Sequence, residues 1–222
     1  MTGFGVARVA IDSPLPQLDR LFDYEIAQEL RRVITVGSRV RVPFGRGAGL
    51  SDGFVVELVE ESEFTGKLAR LEDLVSPVSV LTPEIYQLCR AVADRQAVTI
   101  ADVFKLAIPT RSVAVEKKWL AASAQIDTIP KKRDGAGQRS FVFVEPRTNE
   151  LGPIWVQQLV SRAIANLEAG ESTILVVPDY RDQAVLLSEL SKKTAVENIV
   201  DYTSQQTNSL RYSAFLRCLT PR

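Results

Sequence analysis

Polar and apolar residues alternate with a period of two along much of the first part of the chain. The alternation is strict over residues 38–44 and partial over residues 4–11 and 22–26. A period of two places successive side chains on opposite faces of a β-strand, so these segments are predicted to be strands. Residues 45–49 contain three glycines and precede a further strand-like segment, residues 53–59, which indicates a hairpin with a glycine-rich tip.

A change of period after residue 80 predicts two helices. Thr82 followed by Pro83 is typical of a helix N-terminus, because a capping side chain is followed by a proline in the first turn. The helix is expected to end near residue 95, with Leu88 and Val92 on its apolar face. A second, shorter helix is predicted over residues 99–106.

The last third of the chain alternates short apolar runs with stretches of helical period. Residues 173–177 are almost entirely apolar, which is typical of a buried strand in a parallel sheet. The repeated order of strand and helix favours a parallel sheet with right-handed crossovers. The predicted strands are residues 140–144, 173–177 and 197–202, and the predicted helices are residues 151–169, 180–190 and 209–219.

These patterns divide the chain into three parts. Residues 1–110 are predicted to form a mostly β domain with two helices, residues 111–139 a basic linker, and residues 140–222 a partial parallel α/β lobe. The predicted fold class is therefore α/β within the last part and α+β overall.

The charge distribution limits how the chain can contact nucleic acid. The net charge is zero, and residues 1–110 carry 12 Lys and Arg against 15 Asp and Glu, whereas residues 111–139 carry 7 against 3. Extended electrostatic wrapping of DNA is therefore disfavoured. A DNA contact made by the first part is expected to be a local pocket.

Composition excludes several classes of site. The chain has no histidine, which removes the most common general base and most zinc sites, and its two cysteines, Cys89 and Cys218, cannot form a zinc site on their own. The chain has no apolar run of membrane-spanning length and no secretory signal pattern at its N-terminus, so we expect a cytoplasmic protein without membrane contact.

Several motifs, in order, resemble the PriA family of replication restart proteins. They include residues 6–10, 21–24, 37–46, 53–56 and 80–83, and the match continues through residues 107–109. The resemblance covers roughly residues 6–110. It implies that this part is a domain that binds the 3′ end of a DNA strand at a stalled fork.

The resemblance also implies which residues form the DNA pocket. The matching positions are Phe22, Asp23, Gly45 and Lys67, with Tyr24 as a second aromatic residue and Arg70 as an alternative to Lys67. Each of these residues alone is more often structural, since aromatic strand residues usually pack in a core and a lone lysine is usually a surface residue. Their joint match favours the pocket.

The chemistry of a strand terminus agrees with this set. A free 3′ end carries a hydroxyl, which can donate a hydrogen bond to Asp23, whereas a phosphate there would be repelled. Phe22 or Tyr24 can offer a ring to the terminal base. Gly45 allows close approach of the backbone, and Lys67 or Arg70 can hold a nearby phosphate.

The last part resembles the start of the family's first helicase lobe, with one departure. Family members use ATP and magnesium through a Gly-x-x-x-x-Gly-Lys-Ser/Thr loop. At the equivalent place this chain has one glycine, no Gly-Lys pair, Glu145 and Glu150, and Pro146 and Pro153, so ATP is not expected to bind in the usual way.

No cofactor is expected for this chain, because the family's magnesium motif and its zinc-binding cysteines are not found in it. Residues 174–179, which end in Val-Pro-Asp, resemble a strand that touches single-stranded DNA in the family. Pro178, Asp179 and Gln183 are the candidate contacts, although a buried strand followed by a helix start explains these residues equally well.

Two functional hypotheses follow. The first is a non-enzymatic DNA-binding protein of replication restart and primosome assembly, which recognises the 3′ end of a strand in branched or single-stranded DNA. The second is a structural or protein-interaction remnant of a primosomal helicase, which holds partners such as the single-stranded DNA-binding protein and other primosome proteins rather than DNA. An active ATPase is disfavoured by the altered phosphate loop.

Overall fold

The computed structural model describes residues 4–45, 49–123, 141–144, 147–150 and 152–219. Its contacts divide the chain into two compact units, Met1–Glu116 and Lys117–Arg222. Helices and short antiparallel strands are both present, which confirms the α+β class. In the described ranges, no helix is both long enough and apolar enough to cross a membrane.

The first unit contains a six-stranded sheet, whose strands are β1 (Val6–Ile11), β2 (Leu21–Glu25), β3 (Arg39–Pro43), β4 (Leu50–Val59), β5 (Ala69–Arg70) and β6 (Asp73–Ser76). Their order in the sheet is β5-β2-β1-β4-β3-β6. All neighbouring strands are antiparallel except β2 and β5, which are parallel. Strands β3 and β4 form the predicted hairpin.

The sheet curls around its own apolar core. Strands β2 and β3 are separated by two strands in the sheet, yet the Tyr24 hydroxyl donates a hydrogen bond to the Pro43 carbonyl at 3.2 Å. The rings of Phe22 and Phe44 also meet there, with centroids 5.1 Å apart. The buried residues inside the curl are Ala7, Val9, Ile11, Tyr24, Ile26, Ile34, Val40, Val42, Val55 and Leu71.

Two helices, α1 (Pro83–Gln96) and α2 (Ile100–Ala107), follow the sheet. The predicted N-terminus of α1 is confirmed, because the Thr82 side chain accepts a hydrogen bond from the Ile85 amide. The predicted apolar face is wrong. The buried residues of α1 are Cys89 and Ala93, one position further along the helix than the apolar pair at 88 and 92, which is exposed.

The second unit is mainly helical. One buried cluster consists of Val156, Val160 and Leu186 on two helices, with Leu175 and Val177 packed against them. Helix α3 (Val113–Ser123) begins in the first unit and lies within the predicted linker, while residues 124–139 of that linker lie outside the described residues. The other elements are β7 (Thr148–Asn149), β8 (Gly152–Pro153), α4 (Ile154–Glu168), α5 (Tyr180–Ser191) and α6 (Asn208–Leu219).

The predicted parallel sheet is not formed among the described residues of the second unit. Residues 173–177 and 141–144 are not paired as strands, and residue 140 lies outside the described part. A 3₁₀ turn at Val196–Asn198 stands where a third strand is predicted. Ile174 and Val176 are almost fully exposed, although the run that contains them is typical of a buried strand. The apolar pattern alone cannot supply the neighbouring strands that such a segment needs.

Candidate nucleic-acid interface

Asp23 lies on the outer face of β2, where a residue of β1 and a residue of the loop after β4 contact its carboxylate. Its register partner on β1 is Arg8, and the Arg8 Nε lies 3.6 Å from Asp23 Oδ1. The Ser62 hydroxyl donates a hydrogen bond to Asp23 Oδ2. The Asp23 side chain is 17% exposed, so these contacts do not bury it completely.

Arg8 also contacts two glutamates, which makes this cluster acidic overall. Its Nη1 lies 2.7 Å from Glu57 Oε2, and its Nη2 lies 3.9 Å from Glu63 Oε1. The hydrogen bond to Glu57 is the largest cause of the raised pKa of Arg8. One guanidinium therefore faces three carboxylates, so a doubly charged phosphate is unfavourable beside Asp23 and a neutral hydroxyl is not.

The two aromatic candidates lie on the other face of β2, since side chains alternate along a strand. Tyr24 is buried in the core, and burial raises the pKa of its hydroxyl to about 12. Phe22 is partly buried against the same core, with the Phe44 ring on one side and the Arg20 guanidinium 4.8 Å from its centroid. The structure therefore does not bring Asp23 and these two rings together on one face.

Gly45 lies two residues after the end of β3, and it is the last described residue before residues 46–48, which lie outside the described part. It is exposed, its φ is +87°, and a Cβ atom there would meet no atom within 4 Å among the described residues. The left-handed conformation explains the glycine at this position.

The two candidate cations differ in their surroundings. Arg70 lies on strand β5, and its Nη2 lies 3.5 Å from Glu29 Oε2. Lys67 is exposed, and no ion pair involves it among the described residues. It lies two residues before Ala69, which pairs with Tyr24 of β2. Of these two cations, Lys67 is therefore the one that is not paired with a carboxylate among the described residues.

Two residues near Asp23 were not predicted from the sequence. Both lie on the segment that connects β4 to β5, residues 60–68, which we call the β4–β5 loop. Ser62 holds the Asp23 carboxylate, and Phe64 is 63% exposed. A signal for Phe64 was present, because a lone aromatic residue among polar and acidic loop residues has no core to face.

The predicted single-strand contacts of the second unit line a groove of about 1310 Å³. Asp179 caps α5 by accepting hydrogen bonds from the Arg181 and Asp182 amides at 2.8 and 3.1 Å. The Gln183 amide donates to Asp201. Pro178 is exposed. The structure thus gives Asp179 and Gln183 structural partners, and their contact with DNA stays a prediction.

A short hairpin stands at the place of the family's phosphate loop. Strands β7 and β8 pair there, and Gln157 of α4 bonds to both of them through Asn149 and the Gly152 carbonyl. Glu145, Pro146 and residue 151 of this segment lie outside the described residues. Across the described ranges, no group of three or more acidic or cysteine side chains is arranged to hold a metal ion.

Comparison with known proteins gives a match along most of the chain. Residues 8–109 match the family model of the PriA 3′ DNA-binding domain. The chain is 33% identical over 221 residues to the probable replication restart protein PriA of Mycobacterium leprae, covering 92% of this chain and 34% of that protein.

Two further relatives are also named as replication restart proteins. The probable replication restart protein PriA of Mycobacterium tuberculosis is 33% identical over 218 residues, covering 92% of this chain and 33% of that protein. The replication restart protein PriA of Bacillus subtilis is 32% identical over 126 residues, covering 56% of this chain and 15% of that protein. The chain thus spans about a third of the length of the mycobacterial relatives, and the similarity extends into the second unit.

Proposed function

Because the chain belongs to the PriA family, with a 3′ DNA-binding domain at residues 8–109, we propose that its first unit recognises the 3′ end of a DNA strand at stalled or branched forks. In this role the chain serves replication restart, and we place it in the cytoplasm with the DNA it binds. The observation that carries the proposal is the Asp23 carboxylate, which two other elements hold at the surface of an acidic cluster.

The contacts of Asp23 leave capacity for a ligand. One oxygen, Oδ2, accepts from Ser62, while among the described residues Oδ1 has only a long contact to Arg8 at 3.6 Å. An ionised carboxylate offers about four acceptor positions, so Oδ1 can accept a hydrogen bond from a terminal hydroxyl. A phosphate at 4 Å would instead be repelled by about 4 kcal/mol per pair of unit charges near a protein surface.

The proposal is tested with forked DNA that ends in a 3′-hydroxyl or in a 3′-phosphate. The parent chain should bind the hydroxyl form more tightly, and Asp23→Asn should remove that preference. Asp52→Asn is the matched control, because Asp52 is also a carboxylate of the sheet in an ion pair, with Arg41 at 3.0 Å. Equal affinity of the parent chain for both DNA ends would refute end recognition.

A second candidate function is favoured by the acidic surface around Asp23. In that case the chain is a protein-interaction module, and it binds the single-stranded DNA-binding protein or another primosome protein in place of DNA. Retention of that protein, without measurable binding to forks at moderate salt, would identify this alternative.

We also propose that this chain needs no cofactor and does not hydrolyse ATP. The support is chemical: the segment around Glu150 lacks the Gly-Lys pair that neutralises phosphates, and its acidic side chains oppose them. Phosphate release measured with ATP, magnesium and forked DNA tests the proposal, and turnover above the level without protein would contradict it.

A further inference from the structure

Phe64 is the large exposed ring in the neighbourhood of Asp23. It lies on the β4–β5 loop and is 63% exposed. A single exposed phenylalanine is common on protein surfaces and needs no explanation by itself. The contacts of its backbone and ring are what distinguish it.

The position of Phe64 is coupled to Asp23 by two consecutive hydrogen bonds. The Phe64 amide donates to the Ser62 hydroxyl oxygen at 3.0 Å, and that hydroxyl donates to Asp23 Oδ2. The ring also lies against the backbone of Gly66, where a Cβ atom would stand 2.5 Å from Cε1 and 2.6 Å from Cζ. The loop therefore presents the ring in a defined place, with most of its surface open.

Phe22, the ring expected from the sequence, offers no comparable surface. Phe22 is partly buried against the core, its ring meets the Phe44 ring in a T-shaped contact, and the Arg20 guanidinium lies over it, 4.8 Å from its centroid. A base that stacked on the ring face beneath Arg20 would have to displace that guanidinium.

We propose that Phe64 is the residue on which a base at the 3′ end of the DNA strand stacks, while Asp23 accepts the terminal hydroxyl. The inference rests on the proposed function and adds a residue to it. Ser62 is a positioning residue in this arrangement, since it joins the carboxylate to the loop that carries the ring. Stacking on a phenyl ring tolerates any base, because every base has a π-face.

The test compares Phe64→Ala and Phe64→Tyr on forks whose 3′-terminal nucleotide either carries a base or is abasic. Phe64→Ala should bind the normal fork about 5- to 150-fold more weakly than the parent chain. Phe64→Tyr should retain the affinity. On the abasic fork, the parent chain and Phe64→Ala should bind alike. Leu106→Ala is the control, because Leu106 is an exposed apolar residue of the same unit.

The outcomes separate this inference from the proposed function. If the parent chain prefers a 3′-hydroxyl and Phe64→Ala keeps its full affinity, the stacking inference is overturned and end recognition stands. A loss of the same size on normal and abasic forks would also overturn it, since the ring would then act on something other than the base. Absence of any preference for the hydroxyl in the parent chain would overturn both.

Discussion

Replacement of Lys67 by alanine should weaken DNA binding in a salt-dependent way. Lys67 is exposed and forms no ion pair in the part of the chain that the structure describes, whereas Arg70 is already paired with Glu29 at 3.5 Å. A phosphate contact made by Lys67 releases about one counterion. Its loss should reduce the slope of log K against log salt by about 0.7 on single strands and about 0.9 on duplex DNA.

These slopes set the size of the effect. Between 50 and 200 mM salt, the affinity of the parent chain should fall about threefold more than that of Lys67→Ala. Fluorescence anisotropy with a 3′-hydroxyl fork across a salt series measures the difference. Arg70→Ala is the matched control and should leave the slope close to that of the parent chain.

The Arg70→Ala control also shows how the assignment of Lys67 as the phosphate ligand could fail. A reduced slope in Arg70→Ala with an unchanged slope in Lys67→Ala would show that the paired arginine is the phosphate ligand. Unchanged slopes in both variants would show that neither residue contacts a phosphate.

Two predictions concern stability. Glu116 is buried and pairs with Arg111 at 2.6 Å, so Glu116→Gln should lower the free energy of unfolding by about 2 to 4 kcal/mol in denaturant titration. The change Asp94→Asn, in contrast, should lower the free energy of unfolding by less than about 1 kcal/mol, because Asp94 is exposed. Similar losses in both variants would refute the argument. Burial raises the pKa of Tyr24 from 10.0 to about 12 in the folded state, so its neutral form stabilises the fold fully below pH 10 and this contribution is lost as pH rises toward 12. Between pH 9 and 11 the parent chain should therefore lose about 1 kcal/mol more stability than Tyr24→Phe, and equal losses would contradict the burial of the hydroxyl.

Local patterns in the sequence determined several elements of the first unit. The alternation over residues 38–44 and the glycines after it predicted the hairpin of β3 and β4, and Thr82 with Pro83 predicted the start of α1. These features depend on interactions between residues a few positions apart, such as a capping bond or the direction of successive side chains. A sequence contains that information directly.

The arrangement of the candidate site was decided by the tertiary structure. Ser62 and Asp23 are 39 positions apart, and they meet because the β4–β5 loop returns to the outer face of β2. The curl of the sheet encloses Tyr24, whereas Phe64 on the β4–β5 loop stays exposed. Such contacts depend on strand order and on the packing of distant segments, which periodicity does not encode. The same reason explains the second unit, where an apolar run predicted a strand but could not provide the partners that a sheet requires.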